Sequence, residues 1–123
     1  MKTLLLSLLF AATAAVAPAA DNPSISGKWQ VHTSISGNES DQVCTFIQKD
    51  DSLAGNCATD RGTFEISGKI SGTKVTWSYK SEYNGTPLTV KHDGTLNTAT
   101  GIKGSVEVPE FAVQGDFTAT QSK

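Results

Sequence analysis

The chain has 123 residues, ten Lys and Arg against twelve Asp and Glu, a formal net charge of −2, and two cysteines. With Arg61 as its only arginine and no clustered basic patch, this balance argues against nucleic acid as a partner. Beyond the N-terminus, no apolar run approaches the roughly 20 residues of a membrane helix.

The first residues combine Lys2, an apolar run from Leu4, and the small residues Ala17-Pro18-Ala19, which fit A-x-A. This is the pattern of a signal peptide over residues 1–19, cleaved after Ala19. A single domain over 20–123 is then expected, exported to the periplasm or the extracellular space. Loss of Lys2 would leave nine cations against twelve acids, a net charge of about −3. In an oxidising compartment two cysteines favour one structural disulfide over a metal site or a reactive thiol.

After Ala20 no segment keeps a helical period, while short alternating runs bounded by Gly, Asn, Asp and Ser recur along the chain. Eight strands are predicted: Lys28–Ile35, Gln42–Lys49, Leu53–Thr59, Thr63–Ile70, Lys74–Glu82, Pro87–Leu96, Ile102–Val108 and Ala112–Gln121. Every connection is short, so sequence neighbours should pair as antiparallel hairpins, and the simplest closure is an eight-stranded up-and-down barrel. The fold class is therefore all-β, a calycin-like barrel with one disulfide.

The turns set the register. With Asp50-Asp51 as a two-residue turn, Phe46 faces Gly55, and Cys44 faces Cys57 as a non-hydrogen-bonded pair, close enough for a disulfide. Loop-closure entropy assigns that bond roughly 3 kcal/mol. Gly72-Thr73, read as a type II′ turn, sets Gly68 opposite Trp77; Asn84-Gly85, read as type I′, sets Tyr79 opposite Val90 and Trp77 opposite His92. A turn at Glu110-Phe111 sets Gly104 opposite Phe117. Three large aromatics would each lie across from a strand glycine, the arrangement by which a strand coils tightly while a ring covers the bare backbone.

Alternation puts Trp29, Cys44, Phe46, Cys57, Trp77, Tyr79, His92 and Phe117 on the inward face among aliphatic residues, with Thr, Ser, Lys, Glu and Asp outside. A barrel of this size is filled by side chains or holds one small ligand.

Reactive groups are few. His32 and His92 fall on opposite faces, so no paired-histidine metal site is expected, and neither a phosphate-cradling glycine loop nor a G-x-S-x-G elbow is present. The turn acids Asp50, Asp51 and Asp60 read as solvated turn residues. No enzyme and no cofactor are expected. His92 is the interior candidate: beside Trp77 and Tyr79, its imidazole could orient a small apolar or amphipathic ligand. The plainer reading is a core histidine bonded to Tyr79 or to backbone. At one end the turns gather Arg61, Tyr83 and Phe111 as candidate contacts at a barrel mouth, because an aromatic at a hairpin tip has no core to enter. Asn38-Glu39-Ser40 and Asn84-Gly85-Thr86 match glycosylation acceptors.

Ser26-Gly27-Lys28-Trp29, Val43-Cys44-Thr45-Phe46-Ile47 and Leu53-Ala54-Gly55-Asn56-Cys57 resemble the first three strands of the periplasmic metalloprotease inhibitors of bacteria. That resemblance implies an eight-stranded barrel with a comparable disulfide and a segment, here Ala20–Ser24, that enters a protease cleft. The Gly-Lys-Trp opening and the meander are also similar to avidin-type and lipocalin-like barrels of small secreted bacterial proteins. These imply a fold without a residue-by-residue match to a biotin site, since only Trp29 and Trp77 are available. Three expectations follow: a monomeric small-ligand carrier, a protein-binding barrel such as a protease inhibitor, or a structural accessory domain.

Overall fold

The computed structural model describes residues 22–122. The leader expected over 1–19 lies outside the described residues, as do Ala20 and Asp21. Strands β1 (Gly27–Ile35), β2 (Asn38–Lys49), β3 (Ser52–Thr59), β4 (Gly62–Ser71), β5 (Lys74–Tyr83), β6 (Thr86–Thr98), β7 (Gly101–Val108) and β8 (Val113–Gln121) follow in chain order. They form one closed antiparallel up-and-down barrel, sealed by β1 against β8 from Trp29 opposite Gln121 to Ile35 opposite Gly115. Among the described residues no helix is long and apolar enough to cross a membrane.

The registers follow from the turn chemistry. Cys44 lies opposite Cys57 with Cα atoms 4.0 Å apart and the disulfide formed, and Phe46 lies opposite Gly55. Gly68 faces Trp77, Trp77 faces His92, Tyr79 faces Val90, and Gly104 faces Phe117. At Gly68 and Gly104 a Cβ would stand 2.0 Å from the carbonyl oxygens of Thr76 and Asp93. Glycine is needed there because the neighbouring strand's backbone occupies the space where a side chain would start.

Three connections differ from expectation, among them β6–β7, where β6 runs on to Thr98 through a register shift after Leu96. β2 begins at Asn38, because Ser36-Gly37, both with positive φ, make the two-residue turn and the polar run behind them continues the strand. That extension has no apolar alternation to announce it; it is held by cross-strand polar pairs, His32 with Glu39 and Asp41, and Thr33 with Ser40. The β7–β8 connection is a 3-10 turn at Pro109–Phe111 closed by Ala112 in the left-handed region, instead of a two-residue turn at Glu110-Phe111. One residue is added on each side, so Val108 faces Val113 and the predicted register survives.

The barrel is packed from its base. Ile25, just ahead of β1, is fully buried; its N–H donates to Gln48 Oε1 at 2.8 Å and its carbonyl accepts from Trp29 Nε1 at 2.8 Å. Asn22 Nδ2 donates to the Ile70 carbonyl, and Asn22 Oδ1 accepts the Gly72 N–H. Of the described part of the N-terminal segment, Asn22–Ser24, Asn22 is thus tied to the barrel base near the plug residue Ile25. The inhibitor resemblance instead assigns that stretch to a partner's cleft.

Candidate functional site

From the base upward the interior is an aromatic column. Trp29 packs on Phe46 with ring centroids 6.4 Å apart, and Phe46 meets Trp77 edge-on at 5.0 Å. Trp77 stacks on His92 at 4.5 Å with planes 8° apart, and Phe117 stands edge-on to both. Tyr79 follows at 6.2 Å from His92, and Phe64 stacks on Tyr79 at 5.3 Å. The alternation of β5 and β6 places Trp77, Tyr79 and His92 on one face, and Gly94 leaves room that the Phe117 ring fills.

Above Tyr79 the packing stops. The end of the barrel that carries the turns after β1, β3, β5 and β7 opens into a cavity of about 710 Å³. Phe64 and Tyr79 form its aromatic wall together with Leu88, Val90 and Val108, while Asp60, Arg61, Glu82, Tyr83 and Phe111 line its outer part. Tyr83 and Phe111 meet edge-on at 6.2 Å across the rim and remain about half exposed, at 51 % and 42 %.

The sequence-predicted residues therefore divide between two levels. Arg61, Tyr83 and Phe111 come together at the mouth with Tyr79, whereas Trp77 and His92, 2 % and 1 % exposed, sit in the packed layer beneath. Phe46 and Phe117 close the barrel interior around the Trp77–His92 stack, and the mouth cavity lies one layer above it. On the outer side of the same strands lies a smaller hollow of about 340 Å³ among Ser67, Thr76, Ser78, Lys91 and Asp93, and Trp77 and His92 also border it. It is a solvated feature of the outer face, separate from the mouth.

The hydrogen bonds also differ from the plain reading of His92. Tyr79 Oη accepts from Gln42 Nε2 at 2.7 Å, leaving both ring nitrogens of His92 and the Trp77 Nε1 buried without a hydrogen-bond partner among the described residues. Burial without a counter-charge pushes the His92 imidazole down to about 3, so its place in the column is that of a neutral ring. Burial raises the Tyr79 phenol, opposed by the Gln42 bond. Gln42 is the site residue that strand alternation could have found, since it shares parity with Cys44 and Phe46.

On the outer face, His32 holds two carboxylates, Nδ1 to Asp41 and Nε2 to Glu39, each at 2.7 Å, and these bonds raise its pKa. Glu110 accepts from the Thr89 N–H at 2.9 Å and from Thr89 Oγ1 at 3.0 Å, pinning the β7–β8 connection to β6. The backbone bond from Thr89 is the first cause holding the Glu110 carboxyl below its ordinary value. Among the described residues no group of three or more His, Cys, Asp and Glu is disposed to hold a metal ion.

No protein-family model and no curated protein sequence matches the chain, so no sequence relative supports either the inhibitor or the avidin and lipocalin resemblance. Two solved structures are similar to it in fold. One is a redesigned β-barrel, b11L5F_LGL, 15 % identical, with a TM-score of 0.66 over 80 % of this chain and 91 % of that one. The other is a redesigned β-barrel, mFAP1, bound to DFHBI, 14 % identical, with a TM-score of 0.57 over 79 % of this chain and 94 % of that one.

Proposed function

We propose that this chain is an exported, non-catalytic barrel that binds a small apolar or amphipathic molecule in its mouth. The supporting observation is the mouth cavity itself, about 710 Å³, with an aromatic and aliphatic wall and few convergent polar groups, in the size range of small-molecule sites. Tyr79 is the central contact: its ring, stacked on Phe64, offers a flat apolar surface, and its hydroxyl is oriented by Gln42. The layer below, closed by Trp77 and His92, is the floor and not part of the pocket. That mFAP1, with a similar fold, holds a small molecule is consistent with this reading. The inhibitor reading gains nothing from Asn22, which is engaged at the opposite end.

The test is titration with N-phenyl-1-naphthylamine, a neutral apolar fluorophore. Saturable fluorescence enhancement in the micromolar range is expected, weakened at least about tenfold by Leu88→Trp, which fills the cavity. Absence of saturable binding, or binding indifferent to Leu88→Trp in a folded variant, would overturn the reading.

A further inference from the structure

From the charges around the mouth we infer that the molecule it takes is an amphipathic cation, an amine or other positively charged head on an apolar body. The inference rests on the reading of the mouth as a ligand site and adds the ligand's charge.

Glu39, Asp41, Asp60 and Glu82 line the cavity against a single cation, Arg61. Among the residues that line the opening, acids thus outnumber the arginine, which biases the potential there toward negative. The four acids are not equivalent. Glu39 and Asp41 are engaged by His32, while Asp60 and Glu82 make no ion pair among the described residues. The second pair thus remains available to a ligand's charge.

The aromatic groups agree with that sign. Phe64 and Tyr79 inside, with Tyr83 and Phe111 on the rim, present ring faces and edges along the path from solvent to the floor. Ring faces attract cations, and a cation's apolar body gains burial against Leu88 and Val90. An anionic amphipath would find Arg61 alone, beside Asp60 in the same turn. Tyr79 Oη, already accepting from Gln42, has its own proton to give, which suits a neutral polar atom on the ligand's inner end.

The experiment compares two probes with the same fluorophore and opposite charge, dansylcadaverine and dansyl-ε-aminocaproate, at low ionic strength with N-phenyl-1-naphthylamine as the neutral reference. Dansylcadaverine is expected to bind roughly tenfold more tightly than the carboxylate, a preference that shrinks as salt is added. The double variant Asp60→Asn, Glu82→Gln should abolish the preference, bringing the dansylcadaverine affinity down to that of the carboxylate. Equal affinity for the two dansyl probes, preference for the carboxylate, or a preference untouched by the double variant would overturn the inference while the neutral probe still binds. If the neutral probe fails as well, the mouth is not a ligand site and the inference falls with that reading.

Discussion

His92 is the residue whose chemistry its surroundings alter most. It is surrounded by Trp77, Phe117 and Tyr79, and neither nitrogen has a hydrogen-bond partner among the described residues. Strand parity placed it inside correctly, but parity says nothing about which donor a neighbour prefers, and Tyr79 is satisfied by Gln42 instead. The consequence is acid sensitivity of known sign. The unfolded imidazole takes a proton as pH falls through its ordinary 6.5, whereas the folded one waits until about 3. Native stability therefore falls across that window, by at most about 5 kcal/mol. His32 acts oppositely: its raised value contributes stability below its ordinary pKa that is lost as pH rises through the folded one. In thermal unfolding followed against pH, His92→Leu should flatten the loss between 6.5 and 3, and His32→Gln should leave that limb in place. At neutral pH His92→Leu should cost little, because removing a buried group without partners relieves a desolvation penalty. An acid limb as steep in His92→Leu as in the parent would contradict this account.

At the scale of strands and hairpins, turn residues carried most of the architecture. Asn84-Gly85, Gly72-Thr73 and Asp50-Asp51 each require or favour left-handed backbone, and each fixes one register from which the remaining pairs are counted. Polar pairing is less legible: nothing in Asn38-Glu39-Ser40-Asp41 alternates, and its strand character depends on His32 and Thr33 across the ladder. The glycines were legible as positions and only half legible as causes. The sequence suggests a ring covering bare backbone, yet at Gly68 the first obstacle is the Thr76 carbonyl on β5. Gly68→Ala should therefore cost about 1–3 kcal/mol through forced backbone movement, read as a lower denaturant midpoint. The same substitution at Gly37 meets open space and carries only the strain of its positive φ, a cost of roughly 1 kcal/mol. Equal losses at the two positions would remove the close-approach argument.

Taken whole, the barrel has two unlike ends, of which the sequence conveyed the residues at the mouth but not the plugged base. Alternation identifies which side chains face inward but not how deep each one lies, since depth depends on strand tilt and stagger. Ile25 lay outside every predicted strand, so the base plug went unseen, and whether the interior was filled or open stayed undecided. With Ile25 fully buried, Ile25→Ala should destabilise the chain by about 2–5 kcal/mol. The neutral probe should still bind the folded fraction, because the mouth is at the other end; loss of binding in a variant that remains folded would show the two ends to be coupled. The base also gathers both ends of the described chain, Asn22 against the β4–β5 turn and Ser122 donating its N–H to the Lys28 carbonyl. A tether or a fused partner attached through either end would accordingly leave the opening facing outward, so a surface carrying the immobilised protein would present its mouths uniformly to the solution above it.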